Sequence, residues 1–267
     1  MARGLSRLLI AAAYAFVLAP IAVVVLMSFS SDAYIVFPPS GWSVRWYAAL
    51  WASGEFHAAF RTSIALATIV TLAALALGVP AALAIVRGTG RWRDATYTLL
   101  TAPQLLPSVV LGLVLLLVFA PIRLVATMSG IMIAHTVVVL PFVVRIMVTT
   151  FDTLSPECES AAATLGAPPA AVFWRVTLPL AAPGILAAAV IAFIVSFDET
   201  VVTLFLSGPR FTTLPVAVFN YVTNRTDPLV AALSTVLLAG TAILITGIER
   251  SIGVARAASP GPRSLSR

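Results

Sequence analysis

Apolar residues in this chain come in long unbroken runs, and most charged residues sit at the ends of those runs. A helix needs about 20 apolar residues to cross the hydrocarbon core of a bilayer. Six stretches reach that length, at about 8–29, 63–86, 97–120, 129–150, 182–206 and 229–248. The pattern predicts an all-α integral membrane protein with six transmembrane helices. Helices satisfy every backbone polar group within lipid, and no alternating strand pattern competes. The first run is too long for a signal peptide and no convincing cleavage site follows, so it reads as a retained anchor. The second is crowded with alanine and glycine from Ala65 to Ala84, the composition of helices that approach closely in lipid. The third has Pro103 and Pro107 near its start.

Charge then orients the bundle. All 16 basic residues are arginine. With six spans, both termini share a side. That side carries Arg3, Arg7, Arg87, Arg91, Arg93, Arg145, Arg175, Arg250, Arg256, Arg263 and Arg267; the other carries Arg45, Arg61, Arg123, Arg210 and Arg225. The arginine-rich side is the cytoplasmic one, so both termini and the connection between the fourth and fifth spans are expected inside the cell. The outer side has one long loop, 30–60, rich in the aromatic residues that favour a membrane interface. Residues 1–250 are expected to form a single transmembrane domain. The tail 251–267, rich in Ser, Pro, Gly and Arg, is expected to be disordered.

Composition narrows the chemistry. Apolar residues make up 60% of the chain and charged residues 10%, with a mean hydropathy of +1.05. A soluble domain carries roughly 25% charged residues, so lipid is the main solvent here. The net charge of +6 does not imply nucleic acid, because the arginines flank apolar runs instead of lining one face. Cys158 is the single cysteine, which excludes an internal disulfide and a paired-cysteine metal site. His57 and His135 form no HExxH motif, and no GxxxxGK loop is present. The chain shows no means of binding ATP itself and calls for no metal or cofactor.

One stretch breaks the pattern. Residues 155–180, SPECESAAATLGAPPAAVFWRVTLPL, interrupt two apolar runs with two glutamates, a glycine and several prolines. Ser155 suits a helix N-cap and Pro156 its first position. Glu157 and Glu159 fall in the first turn, where negative charge complements the helix dipole. Leu154, Cys158, Ala161 and Leu165 form a narrow apolar stripe, and Gly166 is a natural stop. A first short helix is therefore expected over about 156–165. Pro168 and Pro169 can start a second, carrying Val172, Phe173 and Val176 and ending near Leu178, before Pro179. Such a pair could lie on lipid headgroups, but a lipid-surface helix wants basic residues, and Arg175 is the segment's only one. Two short rigid helices with a small apolar face also suit docking to a protein.

This segment resembles the cytoplasmic signature loop of the inner-membrane permeases of binding-protein-dependent ABC importers. That pattern reads Glu-Ala-Ala, three residues, Gly, nine residues, Ile, one residue, Leu-Pro. Ser160-Ala161-Ala162, Gly166, Val176 and Leu178-Pro179 fall on it with the spacing intact. The motif glutamate is replaced by Ser160, with Glu159 immediately before it, and the isoleucine by Val176. The segment 37–47, FPPSGWSVRWY, resembles the spermidine/putrescine branch of this family, as do Ser196-Phe197-Asp198-Glu199 and Ser207-Gly208-Pro209. The resemblance implies the ABC-importer permease fold, with two short coupling helices inside a loop at 152–181. It implies a bacterial inner-membrane location. It also implies that Glu159, Ser160, Ala161, Ala162, Gly166, Val176, Leu178 and Pro179 dock a separate ATP-binding cassette ATPase. Further implied partners are a second permease, forming a heterodimer, and a periplasmic or lipid-anchored solute-binding protein.

Ionisable residues within a span are candidates for function. Asp198 and Glu199 in the fifth run can line a path for a cationic solute; equally, they can pair with His135 or an arginine, or face water where the helix ends early. His135 in the fourth run can face the same path or serve as a hydrogen-bonded structural residue. The function that follows is a permease subunit, not itself an enzyme, for a small solute such as spermidine or putrescine. Permeases for phosphonate, ferric iron or amino-acid-like solutes share pieces of the pattern. A stand-alone secondary transporter would need internal repeats, which are not evident. An intramembrane enzyme would need a nucleophile and base, or a metal set, which two separated histidines and one cysteine do not supply.

Overall fold

The computed structural model describes residues 2–208 and 211–258. In chain order its helices are α1 (Ala2–Ser28), α2 (Arg45–Ala52), α3 (Gly54–Arg87), α4 (Arg91–Thr101), α5 (Ser108–Phe119), α6 (Met128–Thr153), α7 (Pro156–Thr164), α8 (Pro169–Val172), α9 (Leu178–Asp198), α10 (Val201–Leu206), α11 (Leu214–Asn224) and α12 (Leu229–Ala258). A 3-10 turn (Ala102–Leu105) follows α4, and a π turn (Phe173–Thr177) joins α8 to α9. Among the described residues the only extended pairings are two isolated bridges, Ser30 with Trp42 and Gly208 with Phe211.

The chain divides into two compact units. The first comprises, of the described residues, 2–54 and 220–258. In it α12 packs against α1 and α2. The aromatic-rich loop after α1 is pinned at several points. Ser43 N–H donates to the Phe29 carbonyl at 2.7 Å, and the hydroxyls of Ser28 and Tyr47 meet at 2.7 Å. Asp32 accepts from the Ser40 backbone N–H at 3.0 Å, from the Ser40 hydroxyl, and from the Ser30 hydroxyl at 2.9 Å. These bonds, those of Ser40 foremost, hold its carboxyl below the ordinary aspartate range.

The second unit spans residues 55–219 and is organised on α6, which packs against α4, α9 and α10, while α5 packs on α10. Its core joins Leu66, Val70 and Ala74 of α3 to Ile131, Val139 and Met147 of α6, Ala188 and Ala192 of α9, and Leu206 of α10. The small residues of the second run serve the close approach their composition predicts. Ala67, Ala74 and Ala82 are fully buried, and a Cβ on Gly78 would stand 2.7 Å from Val143 Cγ1. Only glycine lets α3 and α6 come that near without moving Val143. Large apolar side chains such as Leu72, Leu117 and Ile133 remain exposed, as lipid-facing residues must.

All six predicted runs fall on helices, and among the described residues four helices are long and apolar enough to cross a bilayer singly: Leu9–Ser28, Gly54–Arg87, Met128–Thr153 and Pro169–Asp198. The third run is not one continuous helix. It breaks between the 3-10 turn and α5 with a bend of 105°. Leu106 precedes Pro107 and takes an extended conformation, with φ −87° and ψ 138°. The proline ring forbids the helical alternative at that position. Helix α5 alone, at 12 residues, is about 18 Å long and too short for a span. The fifth run is also broken, between α9 and α10. The sixth starts at Leu229 as expected, and α12 runs on to Ala258, into the stretch expected as a disordered tail. The rest of that tail, 259–267, and Pro209 of the Ser207-Gly208-Pro209 match lie outside the described residues.

Candidate functional site

The segment 155–180 folds locally much as its residues dictate. Helix α7 begins at Pro156 behind Ser155, whose side chain makes no capping bond, and ends at Thr164. Gly166 adopts φ +86°, the left-handed geometry that glycine takes without strain. Its N–H donates to the Ala163 carbonyl at 2.9 Å, and the Ala167 N–H donates to the Ala162 carbonyl at 3.1 Å. These two bonds satisfy the last carbonyls of the helix and fix the turn.

The second short helix departs from expectation. It starts at Pro169 but does not stop before Pro179; a single helical stretch runs from Pro169 to Asp198. Pro179 has no N–H for the Arg175 carbonyl, and its ring would crowd that carbonyl in a regular helix. A π turn lies just before Pro179, with the Leu178 N–H reaching the Phe173 carbonyl, and its wider backbone gives the proline ring room. Pro183 and Gly184 lie inside α9. Val176 and Leu178, both half-buried, therefore belong to a rod continuous with the fifth span.

Helix α7 buries none of its residues. Cys158, Ser160 and Ala161 are exposed, and Ala162 is half-buried. Leu165 is 89% exposed and Trp174 65%. Glu159 reaches back to polar partners in the unit. Both of its oxygens meet Arg87 Nη2 at 2.5 Å, and Oε1 also accepts the Thr177 hydroxyl at 2.5 Å. Thr177 is 1% exposed. Ser160, at the motif glutamate position, donates its hydroxyl to the Pro156 carbonyl of its own helix at 3.0 Å.

At the far end of the rod, α9 ends at Asp198 and Glu199 turns to extended geometry. The Glu199 carboxylate accepts from the Val202 N–H at 2.9 Å and so caps α10. Asp198 is exposed, and among the described residues its carboxylate meets no partner. His135 is 1% exposed. Its Nδ1 lies 3.0 Å from the Ser196 hydroxyl and its Nε2 2.8 Å from the Thr203 hydroxyl. Thr203 donates its own proton to the Glu199 carbonyl at 2.7 Å, so it accepts from Nε2–H, and Nδ1 accepts from Ser196. His135 thus bridges the break from α9 to α10 and pairs with neither acid. Sequence reasoning missed these four as partners: Arg87 was counted only for topology, Ser196 only as part of the Ser196-Phe197-Asp198-Glu199 match, and no motif marks Thr177 or Thr203.

Residues 74–250 match the family model described as "Binding-protein-dependent transport system inner membrane component". The chain belongs to that family. It is 34% identical over 261 residues, 95% of this chain and 92% of the relative, to the putrescine transport system permease protein PotI of Escherichia coli K12. It is 34% identical over 223 residues, 78% of this chain and 83% of the relative, to the molybdenum transport system permease protein ModB of Mycobacterium tuberculosis. The spermidine/putrescine transport system permease protein PotC of Escherichia coli K12 is 27% identical over 234 residues, 88% of each chain. The fold is similar to that of a bacterial ABC transporter involved in the import of the acidic polysaccharide alginate. That match has a TM-score of 0.72, 18% identity, and coverage of 92% of this chain and 94% of the other. The protein is therefore a transport permease subunit of an ABC importer, with the all-helical fold of that family.

Proposed function

We propose that this permease forms, with a second permease chain, the translocation path of a polyamine importer. A separate ATPase docks on α7 and the 169–179 stretch, and a solute-binding protein delivers the cargo from outside. Both termini and α7 face the cytoplasm, on the arginine balance, and the two units together serve one permease domain. Docking is supported by the exposure of Ser160 and Ala161 on a helix none of whose residues is fully buried, and of Leu165 just after it. The continuous Pro169–Asp198 rod gives the docked motor a direct handle on the fifth span. Closure of the ATPase pair would tilt the rod and switch the bundle between outward- and inward-open states.

The observation that carries the cargo reading is Asp198: an exposed, unpartnered carboxylate where the fifth span breaks. A free carboxylate in lipid is costly, and a water-filled path for cations removes that cost. The polyamine relatives point the same way. Glu199 contributes to the field but is committed to its cap. The enclosed His135 has no surface to offer a solute and is left out of the path. The molybdenum relative, equally identical, favours a second reading with a different small solute. The test is uptake of radiolabelled putrescine, spermidine and molybdate into vesicles holding the assembled transporter. Putrescine or spermidine uptake is expected to fall about tenfold in Asp198→Asn, the equivalent of about 1.4 kcal/mol, with the ATPase still co-purifying. Uptake of molybdate alone, or unchanged polyamine uptake in the variant, sinks this reading.

A further inference from the structure

We infer that the Arg87–Glu159–Thr177 cluster is a mechanical latch that transmits the motion of α7 into the bundle. This rests on the docking reading above. Glu159 is one carboxylate shared by three segments: the last residue of α3, the exposed helix α7, and the π turn that opens the fifth span. Packing does not do the same work. Helix α7 buries none of its residues. A cavity of about 250 Å³ lies beside the ion pair, lined by Leu83, Val86, Phe151 and Asp152 as well as by Arg87 and Glu159. Packed mainly on α8 and the π turn and bordering this partly open cleft, α7 is free to rock relative to α3. Two charge-assisted contacts at 2.5 Å and a hydroxyl from a 1% exposed threonine remove that freedom. Pulled through the latch, α3 and the base of α9 move with α7. The arrangement also accounts for Ser160: with Glu159 turned inward to hold the latch, the docking face itself is left uncharged at that position.

The test uses the complex purified from membranes that co-express its ATPase and binding-protein subunits. Thr200→Cys, at the break beyond α9, is the reporter in a Cys158→Ser background. Its labelling by a membrane-impermeant thiol reagent is compared with and without ATP, a readout that does not depend on the cargo. With Arg87 intact, ATP changes the labelling rate. In Arg87→Gln the ATPase still co-purifies, while the ATP-dependent change shrinks about fivefold, the upper end for a half-exposed pair. Glu159→Gln shrinks the ATP-dependent change likewise, and the swap Arg87→Glu with Glu159→Arg restores most of it. An undiminished response in Arg87→Gln with the ATPase bound, or a swap that restores nothing, overturns the latch and leaves docking standing. Failure of the unmodified chain to hold an ATPase overturns docking and the latch together.

Discussion

The rod Pro169–Asp198 is tied at both ends, and the two ties are built from opposite materials. Near its base, Glu159 holds Arg87 and Thr177 in a charged cluster in which the Arg87 side chain is 49% exposed and the Glu159 side chain 26%. At the far end, His135 joins Ser196 and Thr203 through uncharged hydrogen bonds among residues that are nearly all enclosed. Each tie sits at a departure from regular helix: the π turn at one end, the break at Glu199–Thr200 at the other. A helix interrupted in lipid must find partners for its freed backbone and side-chain groups. A buried tie does that permanently. An exposed ionic tie, screened by water and salt, is easier to break and remake. The comparison suggests that the far end is fixed and the near end is where load enters and leaves.

The largest expected effect is at the buried tie. His135→Leu strands the Ser196 hydroxyl and takes from Thr203 its ring donor. Interhelical hydrogen bonds of this kind in lipid sum to about 1–3 kcal/mol for the pair. Thermal unfolding of the purified complex should show a clear drop in midpoint. His135→Gln, which keeps a donor and an acceptor, should recover part of it. If His135→Leu unfolds like the parent, the far end is not the fixed one and the contrast between the ties disappears.

Much of this was legible before the structure, and the reason is physical. Span length and charge placement are written directly into sequence because the bilayer imposes them on each helix separately. The start of α7 at Pro156 and its end before Gly166 follow from local chemistry and fall within a residue or so of expectation. What was not legible depends on two segments meeting. Arg87 is an ordinary end-of-helix arginine until α7, 72 residues later, presents Glu159 to it. Ser196 counts only as the first residue of its match, and Thr203 looks like an incidental small polar residue, until α6 places His135 between them. The second short helix was misread at its end for a different reason. Pro179 carries a stop signal that a single π turn absorbs, and nothing in the local sequence distinguishes absorbing a proline from ending at it.

A smaller effect is expected at Gly166, between the rod and α7. Its φ of +86° costs an L-residue about 1 kcal/mol, and open space surrounds the site, so strain is the whole effect. Gly166→Ala should lower the unfolding midpoint slightly but loosen the turn that sets α7 against the second helix. Weakened ATPase co-purification with little loss of stability is the expected pattern. Equal losses of both would mean that the turn supports the unit as a whole, and not the attachment of α7.

The smallest effect on stability, and the sharpest contrast, belongs to Arg87→Gln. A half-exposed ion pair contributes about 0.5 kcal/mol to folding, so the thermal midpoint should barely move. What remains of the native pair's contribution should also fade as salt is raised, since the Debye length shortens from about 10 Å at 0.1 M to about 3 Å at 1 M. The His135 tie should be indifferent to the same change. If the cluster is a working joint, then in one complex high salt should reproduce the labelling defect of Arg87→Gln without lowering the midpoint that His135→Leu lowers. A midpoint that falls with salt as far as it falls in His135→Leu would place the structural burden at the near end. The roles assigned to the two ties would then be reversed.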